Sequence, residues 1–182
     1  LNGMGLAAAV LVAALAPAAA QDVALPARRP GQWEIRTVTL KPDNGPKINA
    51  QACIDAATDR DLLEFGLRLT KENCTRYEIT RKGQTWTIAS ECAMGGMKSR
   101  TRTRITGDFQ SQLKIHMEGT LEGAPGGNGG PQETVLTQDN RWISAACTDG
   151  LVPGDVAVDG GMKINIRQMQ QLQKLLPKLQ IR

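Results

Sequence analysis

Residues 74–92, CTRYEITRKGQTWTIASEC, decide the fold. Tyr77 and Ile79 share one face before the Lys82-Gly83 turn signal, and Trp86 and Ile88 share one face after it. Two period-two runs around a Gly-containing turn predict a β-hairpin. If the loop has three residues centred on Gly83, Cys74 faces Cys92 directly; a two-residue loop offsets them by one. Cross-strand Cβ atoms lie about 4.5–5.5 Å apart, close to what a disulfide needs. A Cys74–Cys92 bond is therefore expected. Four cysteines allow three connectivities, and this choice leaves Cys53 with Cys147.

Downstream, Lys98 to Ile105 sets Lys98, Arg100, Arg102 and Arg104 on one face and Ser99, Thr101, Thr103 and Ile105 on the other. Residues 112–122 alternate Leu113, Ile115, Met117 and Leu121 with Lys114, His116, Glu118, Thr120 and Glu122, and Gly107-Asp108 is the turn between the two strands. Such alternation marks an antiparallel sheet with one face in water. GAPGGNGGP at 123–131 reads as a loop. Two short β segments are expected in 133–144 around a turn at Asp139-Asn140, and 148–161 reads as a linker or irregular edge. From Met162 the pattern changes: Ile166, Met169, Leu172, Leu176 and Leu179 recur every three or four residues, predicting an amphipathic helix that Pro177 ends or kinks.

Upstream, QWEIRTVTL at 32–40 is a strand, KPDNGPK a turn, and pairing resumes near 48–53. Leu62, Phe65 and Leu69 have helical spacing within 55–69, with Asp or Thr as caps. The expected fold is mainly β: a single twisted antiparallel sheet or open barrel of about six or seven strands, with one short helix and a C-terminal amphipathic helix. A half-closed sheet covered by a helix can hold an apolar ligand, and with three Trp, two Phe and one Tyr any such cavity would be small and aliphatic.

LNGMGLAAAVLVAALAPAAA at 1–20 holds sixteen apolar residues and no charge, ending in small residues. It reads as a signal peptide cleaved near Ala20. Leu1 to Leu6 lacks the usual Lys or Arg, so the sequence is expected to begin inside the leader. The run is too short to span a bilayer and no later segment approaches that length, so the mature chain is not expected to be transmembrane. With the first cysteine at Cys53, a lipid anchor is not expected either. The division is then a leader over 1–20, a disulfide-stapled β domain over 21–161 and a basic helix over 162–182, in an oxidising periplasm.

The net charge of +4 is uneven: 162–182 holds Lys163, Arg167, Lys174, Lys178 and Arg182 and no acid. A nucleic-acid-binding domain would spread basic charge over its folded face, so nucleic acid is not an expected partner.

Pro30 to Ile35 (PGQWEI), Cys53-Ile54, Cys74 and Cys92 bracketing a Trp-containing hairpin, and Trp142 followed at Cys147 make an ordered pattern. The chain resembles, over roughly 30–147, the proteobacterial family called domain of unknown function 3617. That resemblance implies a small exported protein without an assigned activity. The chain departs from it in its C-terminal helix, which lies beyond the matching region, and in Arg141 and Ile143, where the family usually has Gly beside Trp.

No catalytic, metal or cofactor set is expected. His116, the single histidine, falls on a solvent-facing strand position. Asp55, Asp59, Asp61 and Glu64 read as a solvated face and caps, although they motivate a carboxylate-dependent hydrolase as the alternative. Candidate contacts for an anionic partner are Lys98, Arg100, Arg102 and Arg104, with Lys163, Arg167 and Lys174 on the C-terminal segment. The expected role is a non-enzymatic envelope module binding a partner protein, an anionic membrane surface or an amphiphile; a structural or stress-related envelope protein is the further alternative.

Overall fold

The structure is a computed structural model describing residues 23–123 and 130–179, with the side chains of 65–71 and 173–179 outside the description. The leader at 1–20 and most of the Gly-rich loop fall outside the described residues. The elements are β1 (Gly31–Lys41), β2 (Lys47–Ile54), α1 (Ala56–Asn73), β3 (Cys74–Lys82), β4 (Thr85–Met94), β5 (Met97–Gly107), β6 (Gln112–Glu122), β7 (Gln132–Ser144), β8 (Asp155–Val158), β9 (Met162–Asn165) and α2 (Ile166–Leu179). The nine strands form one open sheet in the order β3-β4-β5-β6-β7-β1-β2-β8-β9. Every neighbouring pair is antiparallel.

The hairpin forms with a two-residue turn, since Lys82 pairs with Thr85 and Gly83 takes a φ of 60°. This turn would leave the cysteines one residue out of step. A bulge between Cys74 and Arg76 absorbs the offset and returns Cys74 opposite Cys92. Both expected disulfides are present, Cys74–Cys92 and Cys53–Cys147.

Four expectations are corrected. Residues 132–144 form one strand, because β7 is paired on both sides: Asn140 lies between Ile35 of β1 and Leu113 of β6. Two neighbouring ladders outweigh the local turn preference of Asp-Asn. The 148–161 segment supplies β8, which extends β2, and then turns through Gly160 and Gly161 into β9. The sheet thus has nine strands rather than six or seven, and the C-terminal helix starts at Ile166 rather than Met162. Asn165 caps it, accepting from the Arg167 N–H at 3.0 Å. The helix runs past Pro177 to Leu179.

The first helix is longer than expected, at 18 residues. Asp55 and Thr58 cap it reciprocally: Thr58 N–H donates to Asp55 Oδ1 at 2.7 Å and Asp55 N–H to Thr58 Oγ1 at 2.9 Å. Its length fits its route. It must carry the chain from β2 to β3, six strand positions away, roughly 29 Å across a flat sheet; eighteen helical residues span about 27 Å. Beneath it, Trp33, Ala52, Ile54, Trp86, Ile105, Phe109 and Leu113 form one buried cluster, with Leu62 of the helix packed against it. Trp86 and Phe109 meet edge to face at 5.0 Å.

The two disulfides close loops of different length, with sequence separations of 94 and 18. Replacing Cys53 and Cys147 together by Ala is expected to cost about 4 kcal/mol in urea unfolding and replacing Cys74 and Cys92 about 3 kcal/mol. The reverse order would show that loop closure does not set their contributions.

Candidate functional site

Between the sheet and α1 lies a cavity of about 180 Å3. Leu25, Leu63, Ile105, Phe109, Leu113 and Ile115 supply its apolar walls, and Arg28, Asp59, Gln138 and Asn140 also line it. Asn140 and Asp59 are 3% and 1% exposed. Gln138 Nε2 donates to Asn140 Oδ1 at 2.9 Å, and Asn140 Nδ2 reaches the Leu113 carbonyl only at 3.5 Å.

The Asp59 carboxylate is held by Arg28, whose main-chain N–H donates to Oδ2 and whose Nε donates to Oδ1, each at 2.8 Å. Asp59 therefore does not belong to a solvated helix face: the chain entering β1 crosses the first turn of α1 there and covers it. Asp55, which caps the helix, does remain partly in water; hydrogen bonds from Thr58 and the nearby Arg167 charge hold its carboxyl below the usual range. Asp61 is half-buried and Glu64 exposed.

The segment after Arg28 builds a second feature. Gly31 has a φ of 127°, and a Cβ there would lie 2.1 Å from the Ser144 carbonyl oxygen, so only glycine fits. Trp33 Nε1 donates to the Arg29 carbonyl at 2.8 Å, Trp142 Nε1 donates to the Pro30 carbonyl at 3.0 Å, and the Arg29 guanidinium sits 3.7 Å from the Trp142 ring centroid. Gln32, 3% exposed, accepts on Oε1 from the Thr148 N–H at 2.7 Å and from its hydroxyl at 3.0 Å. Gln32 and Trp142 thus bind neighbouring segments, while Trp33 and Ser144, whose hydroxyl donates to the Ala146 carbonyl, brace their own.

Residues 28–147 match the family model described as Protein of unknown function (DUF3617). The chain belongs to this family. No curated protein and no solved structure matches it.

The DUF3617 match ends at Cys147, but the chain beyond it is locked to the domain. Gly154 N–H donates to the Cys53 carbonyl at 2.8 Å, and Ile166 N–H donates to the Gly154 carbonyl at 3.0 Å. Asp155, 3% exposed, accepts from the Val152 N–H at 3.0 Å and from Asn165 Nδ2 at 2.8 Å, with Lys163 Nζ at 3.4 Å. Burial alone would raise its pKa, but these bonds and the lysine charge together hold it below the usual carboxylate range.

The residues expected to meet an anionic partner are distributed as follows. Lys98, Arg100, Arg102 and Arg104 all face solvent along β5 of the DUF3617 domain. Neighbouring strands set acids across from three of them: Lys98 opposite Glu122, Arg102 opposite Glu118, and Arg100 opposite Glu91 with Nε to Oε1 at 3.3 Å. Arg104 stands opposite His116, which is 39% exposed. Like-charge repulsion along the ladder is therefore offset within the sheet. Lys163 pairs with Asp155 within the β8–β9 hairpin, and Arg167 Nη2 lies 3.8 Å from Asp55, which ties the start of α2 to the domain. Lys174 lies on α2 with its side chain outside the described residues.

Sequence reasoning missed Arg28, Gln138 and Asn140. The signal available was the alternation of Leu136, Gln138, Asn140 and Trp142 on one face, which puts two amides in an otherwise apolar stripe. Replacing Asp59 by Ala is expected to destabilise the protein by about 3 kcal/mol in urea unfolding, because Arg28 is then left largely buried without its partner. In a double-mutant cycle, adding Arg28→Met should recover more than half of that loss; strictly additive costs would show that the pair is not coupled.

Proposed function

We propose that this protein is exported to an oxidising compartment of the cell envelope, the periplasm, and acts there as a non-enzymatic module that takes a small amphiphile between its sheet and α1. The cavity carries this reading: apolar side chains wall it and a few nearly dry polar groups converge on it, the usual makeup of a small-molecule site. Export is supported by the apolar leader at 1–20 and by two disulfides, which persist in oxidising compartments. No helix among the described residues is long and apolar enough to cross a membrane.

The non-enzymatic reading is supported by how the acids are used. Asp55 caps α1 and Asp59 is engaged on both oxygens by Arg28, so neither offers a free oxygen pair for general acid and base work. An amphiphile is favoured over an anionic membrane surface because the basic ladder of β5 is offset by Glu91, Glu118 and Glu122.

Mass spectrometry of small molecules released from protein purified from its own periplasm tests the reading. An amphiphile should be recovered intact from the wild type and be absent from Leu63→Trp, which fills the cavity from the helix side. Identical profiles from the two proteins would overturn it.

A further inference from the structure

The cavity's hydrogen-bonding inventory says more about its occupant, resting on the reading of the cavity as an amphiphile site. Among the ten apolar and polar residues and one proline that surround it, the charged groups are Arg28 and Asp59, and they compensate each other at 2.8 Å. An entering charge would find no counter-ion left over, and burying an uncompensated charge is far costlier than burying a neutral polar group.

The unused capacity is on the donor side. Asp59 accepts on both oxygens from Arg28. Arg28 uses Nε and its main-chain N–H there, leaving its terminal Nη groups without a protein acceptor among the described residues. Asn140, 97% buried, makes only the long 3.5 Å contact to Leu113 among the described residues with its amide nitrogen, which carries two N–H groups. Its oxygen is already taken by Gln138. A buried donor without a good partner is a standing cost that a ligand oxygen would remove.

Size sets the rest. A cavity of about 180 Å3 is slightly larger than the engineered apolar cavity of about 150 Å3 that accepts benzene. We infer that the site takes a neutral amphiphile of benzene to short-chain size whose head is a hydrogen-bond acceptor of the ester, ketone or amide type, received by Asn140, with its tail among Leu63, Ile105, Phe109 and Ile115. The inference names a class of head group and excludes short fatty-acid anions of the same bulk.

Methyl pentanoate and hexanoate, the anion of its isomer hexanoic acid, match in size and differ in charge, and they test it. Titrated at neutral pH into the disulfide-bonded protein and followed by NMR, the ester should perturb the Asn140 side-chain amide and the Phe109 ring and bind at least about tenfold more tightly than hexanoate. Asn140→Leu should weaken the ester about fivefold while leaving the unfolding of the protein cooperative, and Leu63→Trp should abolish binding of both. Equal or tighter binding of hexanoate, or an unchanged ester affinity in folded Asn140→Leu, would overturn the inference and leave amphiphile binding standing. Failure of both isomers to perturb the cavity residues would overturn the inference and the proposed function together.

Discussion

Gln32 pairs with Cys53 in the sheet and holds Thr148, the residue after Cys147, and the path of the C-terminal elements starts from that arrangement. In the sheet, β1 lies between β7 and β2, and Gln32 pairs with Ser144 on one side and Cys53 on the other. The disulfide joins the end of β2 to the chain leaving β7, the two strands that flank β1, with a Cα separation of 5.8 Å. Gln32 then receives Thr148, Cys53 receives Gly154, and Gly154 receives Ile166. Beside that covalent tie, the C-terminal elements join the domain through the Thr148, Gly154 and Ile166 bonds and along the edge of β2 that pairs with β8, so their buried backbone groups are satisfied there.

This gives the family's motif residues a physical reason. Gly31 is required where a side chain would collide with the Ser144 carbonyl, Trp33 fills the core, Gln32 fastens the chain after Cys147, and Trp142 closes over Arg29. These side chains hold one another and the segments around them. The groups with unused capacity, the amide of Asn140 and the guanidinium of Arg28, lie instead along the cavity under α1. Ile105, Phe109 and Leu113 serve both the buried core and the cavity wall.

Much of the fold was legible locally. The alternation in 74–92, 98–105 and 112–122 depends only on which face of a strand meets the core, and those strands stand where the pattern places them. The hairpin reading left two turn lengths open, and the bulge beside Cys74 reconciles the shorter turn with the disulfide. What was hidden depended on distant partners. Asp139-Asn140 reads as a turn until ladders on both sides hold it extended; Asp59 reads as a surface acid until Arg28, 31 residues earlier, covers it. The 148–161 segment has no period of its own, because its short strand is specified by the open edge of β2. The cavity was expected only as a small aliphatic space, since its polar groups come from three separate stretches of chain.

Amide hydrogen exchange in the wild type and in Gln32→Ala tests most directly whether the C-terminal elements depend on the bonds from Thr148 to Gln32. In the wild type the amides of Thr148, Gly154 and Ile166 should be protected. In Gln32→Ala, Thr148 should lose protection outright and Gly154 and Ile166 should exchange about tenfold faster or more, while the hairpin amides of Ile79 and Ile88 remain as before. Unchanged protection at Gly154 and Ile166 after loss at Thr148 would contradict the account, because the chain beyond Cys147 would then be held independently of Gln32.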